Sequence, residues 1–235
     1  MIDIIVPAYK EGKNILPLFE EIAQKIKAPH QVKVICDMVD DPTIEAVEQV
    51  KNNYNFAIAT AVNTYGRGVV NAIKFGMDRA EADYILIMMA DSSDRLEAVD
   101  LMAEKIDEGY DLVCGSRYMK GGKQIASPLL KGLLSRIAGQ SLHFISRIPT
   151  HDITNSFKMY RKSMLQEIKI ESCGGFEIGM EITVKAYIQG YKITEVPSIW
   201  VERKAGKSNF KLWRWLPRYI YWYCWCLFNL YKKTK

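Results

Sequence analysis

Asp91 and Asp94 stand three residues apart in "YILIMMADSSD", directly after the apolar run Ile85 to Met89. Five uninterrupted apolar residues read as a strand buried on both faces. A carboxylate just past the carboxyl end of such a strand sits where open α/β sheets place their ligand crevice. Folded together by the turn through Ser92 and Ser93, the two acids can hold a divalent cation. Mg2+ needs few protein carboxylates when phosphates and water complete its shell. Other strand ends deliver polar groups to the same side: Tyr9 and Glu11 after "IDIIVP", Asp37, Asp40 and Asp41 after "VKVIC", Ser116 and Arg117 after "YDLVCGS". Carboxylates there can hold ribose hydroxyls, a base edge and a cation, while an arginine faces a diphosphate. Any one of them alone is most simply a solvated loop residue. Their shared placement argues for a site.

The elements that must position these groups alternate. Strands are predicted at "IDIIVP", "VKVIC", "FAIATAV", "YILIMM" and "YDLVCGS". Between them lie helical patterns: one after Asn14, a plausible cap, one from Thr43 to Lys51, one in "GVVNAIKFGMDRA", and one marked by Leu96, Val99, Ala103 and Ile106. That alternation predicts an α/β fold with a parallel sheet covered on both faces. Beyond Arg117 the pattern changes. "YMKGGKQIASP" reads as a mobile basic loop, Leu129 to Ile148 as a helix, "NSFKMYR" as a strand, "EIGMEITVKAYIQG" as a helix closed by Gly190, and "YKITEVPSIWVER" as a strand near an edge because of Pro197. The expected organisation is one body over residues 1–210, with a nucleotide-binding half (1–116) and an acceptor-side half (117–210), followed by a separate tail (211–235).

Composition limits the classes. At 235 residues, 49 % hydrophobic and 25 % charged, the chain suits one large globular body. Five cysteines without a C-x-x-C pair signal neither a disulfide framework nor zinc, and "MIDIIVPAYKEG" lacks a signal-peptide pattern. A cytoplasmic location with reduced thiols is expected. The "GRG" at 66–68 follows the third strand and lacks full dinucleotide-fingerprint spacing, while His143 and His151 have no partner at ligand spacing. After Glu202 there are nine basic residues and no acidic one, leaving 23 basic against 27 acidic in the rest. A basic tail on a mildly acidic body points to phosphate groups or an anionic membrane surface.

Six blocks in order, "IIVPAYKEGKNI", "GRGVVNAIKFGMDRA", "YILIMMADSSD", "VCGSRYMKGG", "THDITNSFKMYR" and "ERKAGKSNF", resemble the family-2 glycosyltransferases. The nearest branch is that of dolichyl-phosphate mannose synthase and its polyprenyl-phosphate relatives. The resemblance implies the GT-A fold, a Rossmann-like sheet, and inverting transfer of a sugar from a nucleotide diphosphate to a lipid phosphate. It implies that Pro7, Ala8, Tyr9, Glu11 and Asp37 bind the nucleotide, that Asp91 belongs to a Mg2+ or Mn2+ motif, and that Arg117 lies near the diphosphate and the acceptor phosphate. Arg203, Lys207 and Ser208 fall on the family's R-x-x-G-K-S segment, expected to clamp phosphates. Two positions depart from the pattern. The family's D-D-G-S is "CDMV" here, and its D-A-D is "MAD", with Asp94 available to replace the acid absent at Met89.

An anionic phosphate acceptor needs no general base, whereas a sugar hydroxyl does. Asp152 and Glu177 are the candidates for a base, each also readable as a turn or helix-start acid. The absence of an obvious base favours a phosphate acceptor. In the tail, "WLPRYIYWYCWCLFNLY" has 13 residues from Tyr219 to Tyr231, rich in aromatics, where a spanning helix needs about 20 apolar ones. Aromatics of this kind suit a headgroup interface, so a peripheral or monotopic helix on the cytoplasmic membrane face is expected, or one packed in a homo-oligomer. Nothing points to nucleic acid. Transfer to a hydroxyl of a glycan, or silent nucleotide-sugar binding, are the alternatives.

Overall fold

Alternation along the first strand sets the layering. In the computed structural model, which describes residues 1–126, 129–202 and 212–233, β1 (Ile2–Ala8) turns Ile2, Ile4, Val6 and Ala8 to one face and Ile5 to the other. On the first face they meet Leu18, Phe19 and Ile22 of α1 (Leu16–Lys25). β2 (His30–Cys36), α2 (Pro42–Val50), β3 (Ala57–Val62) and α3 (Val69–Asp78) follow. Val70, Ile73 and Met77 of α3 cover the Ile5 face. Then come β4 (Tyr84–Ile87), α4 (Val99–Asp107) and β5 (Leu112–Ser116), with α4 returning to the first face through Val99, Met102 and Ile106.

The second half adds β6 (Lys123–Ile125), α5 (Leu129–Ser146), β7 (Lys158–Arg161), α6 (Lys162–Glu167), α7 (Ile178–Gln189), β8 (Ile193–Pro197), β9 (Ile199–Val201) and α8 (Leu212–Lys233). The main sheet has the order β3-β2-β1-β4-β7-β5-β8. Its pairings are parallel except where β7 runs against both β4 and β5. From β1 the chain first builds outward through β2 and β3, then resumes on the other side with β4. The carboxyl ends of β1 and β4 therefore flank a topological switch point, the place where such sheets hold ligands.

Several expectations need correction. Asn14 is not a cap: it lies inside a short 3-10 turn, Gly12–Ile15, and α1 starts afterwards with Pro17 in its first turn, where a missing N–H costs nothing. The stretch after Arg117 contains a strand, β6, paired with β9. The last predicted strand is two, broken at Ser198, with β8 at the sheet edge as Pro197 implied. From the second half, β7 and β8 join the same seven-stranded sheet.

Gly115 shows how tightly β7 is set beside β5. A Cβ at this position would lie 2.7 Å from the Phe157 ring and 3.0 Å from both the Phe157 carbonyl and Met102. Gly115→Ala is therefore expected to cost about 1–3 kcal/mol through overpacking. A urea melt should show a lower midpoint at unchanged slope; a wild-type midpoint would contradict this packing.

Candidate active site

The loop after β1 is held open by two residues of α2's first turn. Lys10 and Gly12 adopt left-handed backbone conformations, at φ 56° and 54°. The Lys10 amide donates to Asp41 Oδ2 at 2.9 Å, and the Glu11 and Gly12 amides donate to Thr43 Oγ1 at 3.0 and 3.1 Å. Thr43 in turn donates from its hydroxyl and its amide to Asp41 Oδ1. Asp41 is thus a buried helix cap and loop anchor, and Asp40 faces solvent. Asp37 is different. Its carboxylate accepts from the Gly68 amide at 2.8 Å and from Asn63 Nδ2 at 3.0 Å, which brings the end of β2 to the start of α3.

After β4 the chain turns through Ser92, left-handed at φ 52°, and the Ser93 amide donates to Asp91 Oδ1 at 3.2 Å. The following residues pair with β9: Arg95 N donates to Ile199 O, Val201 N donates to Ser93 O, and Asp94 forms a bridge with Trp200. This short ladder buries Asp94 to 4 % exposure. Burial pushes its carboxyl up to about 7, with the charges of Asp91 and Asp152 adding to the effect and Arg117 opposing it. Asp94 Oδ1 is buried and has no hydrogen-bond partner among the described residues. An orphaned carboxylate oxygen in a dry site calls for a proton or a cation. No group of three or more potential ligands converges among the described residues. Two carboxylates side by side are a donor set that a hard divalent cation such as Mg2+ or Mn2+ accepts when other oxygen ligands complete its shell.

Arg117, at the end of β5, is nine-tenths buried. Its Nε donates to Asp152 Oδ2 at 2.6 Å and its Nη2 to Asp152 Oδ1 at 2.8 Å, a two-pronged ion pair. The same Nη2 reaches Ser135 Oγ of α5 and Thr154 Oγ1. Although burial opposes ionisation of Asp152, the adjoining guanidinium holds it below the usual carboxylate range. Such a carboxylate is a weak base. Beneath the pair lies Lys158 of β7, fully buried, with Nζ donating to the Ile153 and Asn155 carbonyls. Burial lowers its pKa. Glu177 is also committed: it accepts from the Gly174 and Gly175 amides at 3.0 and 2.8 Å and meets Arg218 of α8.

A cleft of about 690 Å3 joins these parts. Pro7, Ala8, Tyr9, Glu11, Asp37, Asp91, Asp94 and Arg117 all line it, so eight residues singled out from sequence meet there. Asp152 and Glu177, the candidate bases, are not among its lining residues; one is bonded to Arg117 and the other to the Gly174 and Gly175 amides. Arg203, Lys207 and Ser208 lie outside the described residues. Arg67, Ser135 and Glu202 line the cleft and escaped the sequence reading, as did the cleft position of the tail aromatics Trp215 and Tyr219. Arg67 lay within the "GRG" signal discounted as a poor fingerprint. His143 and His151 stack at 4.0 Å, each bonded through Nδ1, to Ile148 O and Glu195 respectively, which agrees with structural roles.

The cleft also has apolar lining. Leu134 and Ala138 of α5, Leu216 of α8 and Phe176 line it. Helices α5 and α8 pack side by side, joined by a Tyr223 hydroxyl that donates to Ser141 Oγ at 3.0 Å. Their outer surfaces expose Leu133, Ile137, Phe144 (72 %) and Ile145 from α5, and Trp213 (74 %), Ile220, Tyr221 and Phe228 from α8. Among the described residues, no helix is long and apolar enough to cross a membrane.

A mostly parallel seven-stranded sheet with its switch point beside β1 and acids at its carboxyl ends is an α/β architecture of GT-A type. Residues 3–169 match the glycosyl transferase family 2, and the chain belongs to that family. It is 29 % identical over 218 residues to the dolichol-phosphate mannosyltransferase of Pyrococcus furiosus, covering 89 % of this chain but 59 % of that protein. The chain thus spans about three fifths of that relative's length. It is 28 % identical to the polyprenol monophosphomannose synthase of Mycolicibacterium smegmatis, covering 88 % of this chain and 79 % of the relative. Among solved structures, glucosyl-3-phosphoglycerate synthase from Mycobacterium tuberculosis, in complex with Mn2+, UDP-glucose and phosphoglyceric acid, aligns with a TM-score of 0.68 at 12 % identity, over 98 % of this chain and 79 % of that one. S. aureus TarS 1-349 with UDP-GlcNAc aligns at 0.58 and 22 % identity, over 87 % and 59 %. These two support the fold.

Proposed function

We propose that the protein transfers a sugar, with inversion, from a nucleotide-diphosphate sugar to a polyprenyl-type lipid phosphate at a membrane surface. The observation that carries this reading is the cleft itself. Its lining combines carboxylates from the carboxyl ends of the first strands with Arg117 and with apolar residues of α5 and α8, two helices that also expose apolar side chains. A nucleotide sugar matches the first set and an amphiphile with an anionic head matches the rest. Pro7, Ala8, Tyr9, Glu11 and Asp37 bind the nucleoside part. Asp91 and Asp94 would hold a divalent cation, which would supply neutralisation of the leaving diphosphate. Arg117, oriented by Asp152, Ser135 and Thr154, presents its fixed positive charge to the reacting phosphates. The acceptor phosphate is already an anion, so no side chain need take its proton.

The two-helix face extends the expected membrane contact beyond the tail. Exposed aromatics and aliphatics on α5 and α8, with Arg147 over Phe144 and Lys232 over Phe228, suit an anionic interface. Phe144→Glu combined with Phe228→Glu is expected to move the protein from the vesicle fraction to the soluble fraction in flotation with anionic liposomes, while leaving nucleotide binding intact. Equal flotation of variant and wild type would overturn the assignment of this face. The relatives' names, dolichol-phosphate mannosyltransferase and polyprenol monophosphomannose synthase, support the same acceptor class.

One observation favours transfer to a hydroxyl instead. Glu202 lines the cleft, and its Oε2 is buried without a partner among the described residues, as a general base would be before substrate enters. Product analysis separates the two: incubation with a nucleotide sugar and polyprenyl phosphate should yield a lipid-phosphate sugar that is labile to mild acid.

A further inference from the structure

Trp215 lines the cleft. It sits in the first turns of α8, and its benzo edge packs on the Gly174-Gly175 turn. A Cβ at Gly175 would stand 2.8 Å from both Cη2 and Cζ3 of the ring, and one at Gly174 would collide with Arg218 Nη1. Two successive glycines thus leave room for an indole and a guanidinium where any larger residue would push α8 away. The pyrrole edge lies across the ring from this turn. Its Nε1 is buried and has no hydrogen-bond partner among the described residues. Buried indole N–H groups ordinarily find an acceptor, and leaving one unmet costs about 1–3 kcal/mol.

The surroundings say what kind of acceptor is missing. Arg214 and Arg218 flank the ring, with guanidinium carbons 5.4 and 5.3 Å from its centroid. Arg218 is bonded to the buried Glu177, whereas Arg214 is exposed and lines the cleft. An indole N–H beside an arginine, in a cleft to whose lining Leu134, Leu216 and Phe176 also contribute, suits one oxyanion attached to an apolar chain. The nucleotide end, lined by Asp37, Asp91 and Asp94, is unsuited to a second anion without a cation.

We infer that Trp215 is a specificity residue for the acceptor: its indole N–H donates to a phosphate oxygen of the incoming lipid phosphate, with Arg214 supplying the charge. This rests on the proposed lipid-phosphate acceptor and adds the residue that recognises it. The glycine pair is the structural device that seats the ring.

Trp215→Phe keeps an aromatic ring on the glycine pair and removes the N–H. Steady-state kinetics with a nucleotide sugar and polyprenyl phosphate should show the acceptor KM raised about tenfold, the scale of one hydrogen bond to a charged group. The donor KM should change far less, and liposome flotation should match wild type. Arg214→Gln, at an exposed position, should raise the acceptor KM as well, so the inference stays testable should the aromatic variant fold poorly. Inorganic phosphate and a short-chain prenyl phosphate, tested as competitors of the acceptor, separate headgroup from chain: both should inhibit wild type more than Trp215→Phe. An active wild type with an unchanged acceptor KM in Trp215→Phe, or in Arg214→Gln if only that variant folds, overturns the inference while leaving the lipid-phosphate reading standing. A KM rise accompanied by equal loss of flotation overturns it too. A wild type that transfers nothing to polyprenyl phosphate removes both.

Discussion

Asp94→Asn is expected to make the protein more stable and nearly inactive. Burial raises the folded carboxyl to about 7, while an unfolded chain releases the same proton near pH 4. Below about pH 4 both states hold the proton, and the group imposes no penalty. As pH rises from there through 7, the unfolded state ionises freely and the folded state does so in a dry site, so stability falls. Asparagine removes that burden. Without metal, Tm should rise by a few degrees at pH 8, and the gain should vanish toward pH 4. Stabilisation by nucleotide sugar plus Mg2+ or Mn2+ should shrink, and turnover should fall about 100-fold or more. Asp91 is only half-buried, so Asp91→Asn should lose comparable turnover without the gain in stability. Restoring the family's usual acid with Met89→Asp should add carboxylate repulsion and fail to rescue Asp94→Asn. An Asp94→Asn protein with wild-type rate and metal affinity would show that Asp91 works without it.

Arg117→Ala should lose stability and turnover together, and the two losses can be taken apart. The substitution leaves Asp152 buried and uncompensated, which costs about 3–5 kcal/mol. It also removes the fixed charge proposed to face the reacting phosphates, worth about 100- to 1000-fold in rate. Arg117→Ala combined with Asp152→Ala removes both charges at once. The double variant should recover much of the melting temperature and none of the turnover. Recovery of turnover would mean that the arginine serves only to neutralise Asp152. A collapse of turnover in Asp152→Asn, with the pH profile losing its acid limb and Tm unchanged, would return Asp152 to the role of base.

The first half of the fold was legible because each strand there is a short apolar run ending on polar residues, and each helix repeats at 3.6. The switch point could be inferred from that alternation. The antiparallel β7 could not, because "FKMYR" looks the same in either direction, and only the loop from 147 to 157 decides how it enters. Asp152 reads from sequence as a candidate base because its partner, Arg117, is 35 residues away and the pairing is invisible along the chain. Asp94 was readable as a carboxylate near Asp91, but its dryness comes from β9, more than 100 residues later. Glu202 gave no signal, and Trp215 read only as one of the tail's interface aromatics. One precedes a basic segment and the other sits within an aromatic stripe, where neighbours of the same type conceal the residue that lines the cleft.

The central claim is a sugar transferred to a lipid phosphate. The most direct measurement incubates the full chain with a panel of radiolabelled nucleotide sugars, Mg2+ or Mn2+, and polyprenyl phosphate in anionic liposomes, followed by organic extraction and mass spectrometry of the lipid. One donor should yield an organic-soluble product with the mass of the polyprenyl phosphate ester of that sugar, formed with inversion at the anomeric carbon. Label that stays in the aqueous phase with every donor, or appears on a glycan hydroxyl when one is offered alongside, would contradict it.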